Sequence, residues 1–133
     1  MTEPTFINPE GVFDPSPIYS HVAIAPPGRV AFFAGQWGAS VDGTLVSEEF
    51  EPQVAQALAN VRAVLAGAGL EPRHVARVTH YVVGLDDERR ASLHRQMGAT
   101  WAGSRPASTL LGVARLAREG MLYEIDIAAV LPD

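Results

Sequence analysis

Between positions 122 and 129 the chain reads Leu-Tyr-Glu-Ile-Asp-Ile-Ala-Ala, an alternation with a period of two. Successive side chains of a strand point to opposite faces, so Tyr123, Ile125, Ile127 and Ala129 share one side, and Glu124 and Asp126 share the other. A strand so patterned buries one face and places two carboxylates together on its reverse. An ordinary solvated face is the simplest explanation of such a pair, because antiparallel sheets often wet one side. Upstream, Ala107-Ser108-Thr109-Leu110-Leu111-Gly112-Val113 follows Pro106 and reads as an apolar strand. A polar turn from Arg115 to Gly120 joins the two.

The rest of the chain supplies partners for this pair of strands. Residues 1–15, with Pro4, Pro9, Gly11 and Pro15, hold no period and read as an irregular N-terminal arm. Residues 18–25 are strand-like, Pro26-Pro27-Gly28 turns the chain, and Val30 to Ala34 is an apolar run, so these two are expected to form a hairpin. Asp42-Gly43 signals a second tight turn. From Phe50 to Gly67, Val54, Leu58, Val61 and Leu65 recur at helical spacing, Pro52 suits the first turn and Gly67 or Gly69 can end the helix. Gln53, Gln56, Asn60 and Arg62 are assigned to its wetter side, in structural roles.

Val75 to Val83 alternates again, with Val78, His80 and Val82 on one face and Arg77, Thr79 and Tyr81 on the other. Asp86 or Asp87 caps a second helix from about Glu88 to Trp101, whose Leu93, Met97 and Trp101 face inward. The expected order is β-β-β-β-α-β-α-β-β. It describes an α+β fold, a mixed and largely antiparallel sheet with two helices on one face.

The chain's 133 residues, 47% of them hydrophobic, bound this to a single domain with one core. With no cysteine there is no disulfide, thiolate metal site or thiol nucleophile. A net charge of −5 argues against a phosphate-backbone partner, and no apolar run approaches a membrane span. Cytoplasmic location, no nucleic acid and no membrane are the expectations. No cofactor is implied, and the histidines show no metal-ligand spacing. His21 is a surface residue or a contact beside a cleft, His80 a hydrogen-bonded core or interface residue, and His74 and His94 surface positions. No serine sits in a nucleophile-elbow pattern.

Pro106-Ala107-Ser108-Thr109, Val113-Ala114-Arg115-Leu116 and Tyr123-Glu124-Ile125-Asp126 together resemble the C-terminal signature of the RidA (YjgF) family, whose best-known members hydrolyse reactive enamines and imines. The resemblance runs from about residue 17 to 130. It implies a homotrimer, related in fold to chorismate mutase, with a small-molecule cleft at each subunit interface. It also gives the apolar residues on both sheet faces, Phe32 and Phe33 among them, a partner surface.

Carried over residue by residue, the resemblance makes Glu124 the catalytic group that holds the hydrolytic water. Tyr19 packs over the ligand, Gly35 matches the glycine of the family's Ser-Gly-Gln strand, Asp86 stands where many members have asparagine, and Leu110 offers a backbone carbonyl to the water. Ser108 departs from the pattern, because central members carry arginine there to grip a carboxylate with a planar fork. Arg105, three residues earlier, is the nearest candidate substitute. The sequence thus implies a RidA-like small-molecule-binding protein that hydrolyses or otherwise transforms an imine, enamine or related carbonyl compound. The alternative is a non-catalytic ligand-sensing or interaction protein on the same trimeric scaffold. A chorismate-mutase-like activity would need two or more convergent cations, and only Arg105, Arg115 and Arg118 are near.

Overall fold

The computed structural model describes residues 3–101 and 103–132, and the first two residues of the expected arm lie outside these. Nine elements follow in order: β1 (Thr5–Ile7), β2 (Val22–Ile24), β3 (Val30–Phe32), β4 (Gln36–Trp37), α1 (Phe50–Gly67), β5 (Val75–Val83), α2 (Asp87–Trp101), β6 (Ala107–Val113) and β7 (Tyr123–Val130). The main sheet runs β3-β7-β5-β6, with β4 joining β3 on the same edge of β7. β5 and β6 are parallel, joined through α2, and every pairing of β7 is antiparallel. This is the mixed α+β sheet that the alternation calls for.

The inward residues of β7 and β5 form the floor of the core. Tyr123, Ile125, Ala129, Val78 and Val82 are completely shielded from solvent, and α1 lays Val54, Ala57, Leu58, Val61 and Leu65 over them. Leu93, Met97 and Trp101 of α2 complete the same cluster. Glu51 joins the helices, its carboxylate accepting hydrogen bonds from Ser92 Oγ at 2.8 Å and Arg95 at 3.1 Å. At the end of α1, Gly69 adopts φ +75° and Leu70 N–H returns to Leu65 C=O, a left-handed stop that glycine makes without strain.

Four expectations are corrected. Residues 18–25 and 30–34 do not form a hairpin: β2 pairs with β1, and β3 pairs with β7. Pro26 and Pro27 donate no backbone hydrogen bond, so the connection serves to carry the chain from one small sheet to the other. The N-terminal arm is therefore partly ordered, as β1. Gln53 is fully buried rather than wet. Its Nε2 donates to Ser47 C=O and Gly120 C=O, each at 2.9 Å, and its Oε1 accepts Leu122 N–H at 2.8 Å. Hydrophobicity assigned it to the solvent side, but three backbone groups around it need partners. His74 is likewise buried, with Nδ1 accepting Glu71 N–H at 3.0 Å.

Asn60 also ties helix to sheet, donating to the carbonyls of Trp37 and Ala39 at 3.0 Å each. Asp42-Gly43 does turn the chain, closed by Ser40 N–H to Thr44 C=O at 2.8 Å, with Gly43 at φ +83°. Among the described residues no helix is long and apolar enough to cross a membrane.

The Gln53 junction has a measurable cost. Gln53→Leu keeps the volume roughly constant but strands one part-buried N–H and two carbonyls, so unfolding free energy should fall by about 2 kcal/mol with an unchanged urea slope. A loss below about 0.5 kcal/mol would show that the amide merely fills space.

Candidate functional site

The sheet separates the candidate residues into two regions. On the face away from the helices, β7 presents Glu124 and Asp126. Opposite them across β5 stand Tyr81 and Thr79, and Trp37 of β4 pairs with Glu124 on the other edge. Tyr81 Oη donates to Asp126 Oδ2 at 2.7 Å, which leaves Glu124 as the less committed carboxylate. Gly35 lies directly over it: a β-carbon there would stand 2.2 Å from Glu124 Oε2. Only glycine leaves that carboxylate in place.

Partial burial, then the neighbouring Asp126 charge, raises the Glu124 pKa above its ordinary 4.5. The Tyr81 hydroxyl is raised too, chiefly because it donates to Asp126. A carboxylate with an elevated pKa is a better proton acceptor than a free one.

The second region lies on the helix side. A cavity of about 610 Å³ opens between α2, the inward face of β5 and β6, and the segment from Phe13 to Tyr19. Ser20 sets that segment against the sheet edge by a parallel bridge to Ala107 and a backbone bond to Pro106 C=O. Tyr19, Ser108 and Leu110 line this cavity together. Ser108 pairs with Val78 and Leu110 with His80, so both project toward the helices, unlike Glu124. Asp86 lies apart from both regions, capping α2 by accepting Arg89 N–H at 2.8 Å. Arg105 lines an adjoining depression that shares Ile18, His94, Met97 and Trp101 with this cavity.

The comparisons with known proteins bear on the whole chain. The endoribonuclease L-PSP family matches residues 12–131. The chain belongs to that family, the Rid or YjgF proteins. Among solved structures, the Rid-family protein YyfB of Yersinia pestis, a protein of unknown function, superposes with a TM-score of 0.92 at 35% identity, covering 97% of this chain and 99% of that one. Among curated proteins, DfrA of Myxococcus xanthus is 31% identical over 84% of each chain. A RutC family protein of Pyrococcus horikoshii is 30% identical over 86% of this chain and 90% of its own.

Within this Rid-family chain the sequence reading missed how much chemistry α2 brings to the cavity. Arg90, Leu93, His94, Met97 and Trp101 all line it. Their spacing of three and four residues makes one helical stripe, and extending the Leu93-Met97-Trp101 pattern by one turn would have found Arg90. His94 is thus half-buried rather than a plain surface residue, and burial, then Arg90, lowers its pKa.

His80 reaches the cavity from β5 and is the hydrogen-bonded core histidine its position suggested. Its Nδ1 lies 2.7 Å from Tyr123 Oη and the two rings stack, 24° from parallel. Burial takes its pKa down to about 3, so it is neutral, and pushes the Tyr123 hydroxyl well up. His21 edges Tyr19 at a ring separation of 5.7 Å and bonds to Phe13 C=O, fastening the cavity's outer wall. Among the described residues no group of three or more histidine or acidic side chains converges as a metal site.

Two outcomes follow for the Glu124 corner. Carbon-13 NMR titration should place the Glu124 pKa above 4.5, and Asp126→Asn should bring it down by removing the adjacent charge. Because that pKa is higher folded than unfolded, the group favours the folded chain below about 4.5 and loses this contribution as pH rises through the raised value. Gly35→Ala meets only the end of a flexible side chain. It should swing Glu124 out of place while shifting stability by less than about 1 kcal/mol, measured by urea unfolding beside a crystal structure of the variant.

Proposed function

We propose that this chain is a small-molecule-binding Rid protein that hydrolyses a reactive imine or enamine, with Glu124 as the base that holds the attacking water. The observation that carries the proposal is the Glu124 corner: a half-buried carboxylate with a raised pKa, kept in place by a glycine with no room for a side chain. Hydrolysis of an iminium ion asks little else. The carbon is already electrophilic: water adds to it as Glu124 takes one proton, Glu124 returns that proton to the carbinolamine nitrogen, and the amine leaves as the C–N bond breaks, the hydroxyl loses its proton and the carbonyl forms.

The site is proposed to be completed by a second copy. Glu124 lies on the sheet face that α1 and α2 leave uncovered, and this face also exposes Phe32 at 84% and Leu111 at 42%. An apolar patch of that kind beside a polar corner is what a homotrimer would bury. Packing there would enclose Glu124 and Gly35 of one copy beside residues of the next and so form an interface cleft. Tyr19, Ser108 and Leu110, gathered on β6 and its covering segment, are the residues proposed to meet the ligand from the neighbouring copy, with Leu110 C=O as the water's second partner.

Ser108 also supports a second reading. It supplies no charge with which to hold a carboxylate, so the same scaffold would serve as a ligand-sensing or interaction protein without turnover. The two readings separate in one assay. Imines are generated in place by an amino-acid oxidase and their disappearance is followed with a trapping reagent. Under the leading proposal the chain accelerates the loss, and Glu124→Gln lowers kcat/KM by about 10²-fold or more with its sedimentation unchanged. Activity that survives Glu124→Gln would remove Glu124 as the base, and no activity in the wild type and in Ser108→Arg alike would favour the sensing role. Sedimentation velocity tests the assembly: a trimer is expected, and Phe32→Glu should shift it toward monomer. A wild-type monomer would refute the interface cleft.

A further inference from the structure

The helix-side cavity holds more binding capacity than the proposed hydrolysis uses: that reaction takes only Tyr19, Ser108 and Leu110 from its lining and leaves the whole α2 stripe. Its size suits a ligand well beyond a few carbons, and its surface is largely apolar, from Ile18, Leu93, Met97 and Leu110. Its polar groups are unevenly committed. The Asp14 carboxylate is turned onto Ser16 N–H at 3.0 Å, and His80 gives one ring nitrogen to Tyr123. What stays available consists mainly of donors. Among the described residues Arg90 has only a long contact, 3.7 Å, to a fully exposed Asp87 one turn before it, a pair worth little in water. The Trp101 indole N–H, without a partner among the described residues, has almost no accessible surface, so it belongs to the wall and not to the donors a ligand would meet. Tyr19 and Ser108 add hydroxyls.

The order along α2 gives the ligand a direction. Arg90 stands one helical turn before His94 and about 10 Å along the axis from Met97, at roughly 1.5 Å per residue. Arg90 therefore marks one end of the cavity and the aromatic and thioether surface of Met97 and Trp101 the other, with Arg105 bordering the adjoining depression beyond them. We propose that this cavity binds an elongated amphipathic monocarboxylate, with Arg90 gripping the carboxylate and the apolar body lying along Leu93 and Met97 toward Trp101. Arg90 is the residue that selects acids over neutral compounds of the same shape. This deepens the preceding reading by naming a ligand class for the region around Ser108, and it rests on Rid-family small-molecule binding but not on Glu124 or on turnover.

The test uses the intact protein with 4-phenylbutyrate, its neutral analogue 4-phenylbutyramide, and acetate as probes, read by calorimetry and by the Trp101 indole N–H resonance, assigned with Trp101→Phe. The acid should bind saturably and move that resonance, with the amide and acetate at least tenfold weaker. Arg90→Gln, a change on an exposed helix position, should weaken the acid about tenfold to the level of the amide and leave the amide unchanged, while Arg90→Lys recovers part of the loss. Equal affinity for acid and amide, an unchanged acid affinity in Arg90→Gln, or no binding of the acid would overturn the proposal. Glu124→Gln should leave acid binding intact. If it does so while imine hydrolysis is absent, the hydrolase reading fails alone. If it weakens acid binding, the ligand belongs to the Glu124 corner and the helix-side site is refuted.

Discussion

The structure depends on β7 being a fully paired strand with two different faces. It takes β5 on one edge and both β3 and β4 on the other, so its backbone groups are spent within the sheet. With its edges closed, only its two faces remain to act. One face is the densest part of the core, where Tyr123 and Ile125 are completely shielded. The other carries Glu124 and Asp126, and any chemistry or assembly on that side inherits the rigidity of the first.

The parallel pairing of β5 with β6 then decides which residues can cooperate within one chain. Register places Ser108 and Leu110 on the same side as Val78 and His80, facing the helices. Glu124 faces away from them. The two sets lie on opposite sides of one sheet, so a single copy cannot bring Ser108's hydroxyl and Glu124's carboxylate to one reacting atom. Either a second copy unites them, or the two sides answer to different ligands.

Much of this was legible in the sequence because periodicity reports burial. The alternation at 75–83 and 123–129 and the helical spacing of Val54, Leu58, Val61 and Leu65 located the central strands, α1 and the core, and the C-terminal motifs named the family. Strand pairing was less legible. Short runs such as Val30–Phe32 look alike whichever partner they take, and β3's partner lies about a hundred residues downstream. Buried polar residues were misread for a different reason: Gln53 and His74 are inside because backbone groups around them need partners, and hydropathy carries no record of that need. Within the candidate site, the family motifs singled out Glu124 and Gly35 separately while their contact comes only from the fold, and Arg90 escaped because a lone arginine near a helix start reads as solvated.

The buried amide of Gln53 also settles something that hydrophobic alternation leaves open. A strand with a period of two presents the same faces after sliding by two residues, so apolar packing alone distinguishes such neighbouring alignments only weakly. Gln53 is fixed on α1 and binds Leu122 N–H and Gly120 C=O immediately ahead of β7. Sliding would break these bonds while leaving the oily pattern intact. The glutamine therefore acts as an indexing pin for the strand, converting a repeating pattern into one address for Glu124.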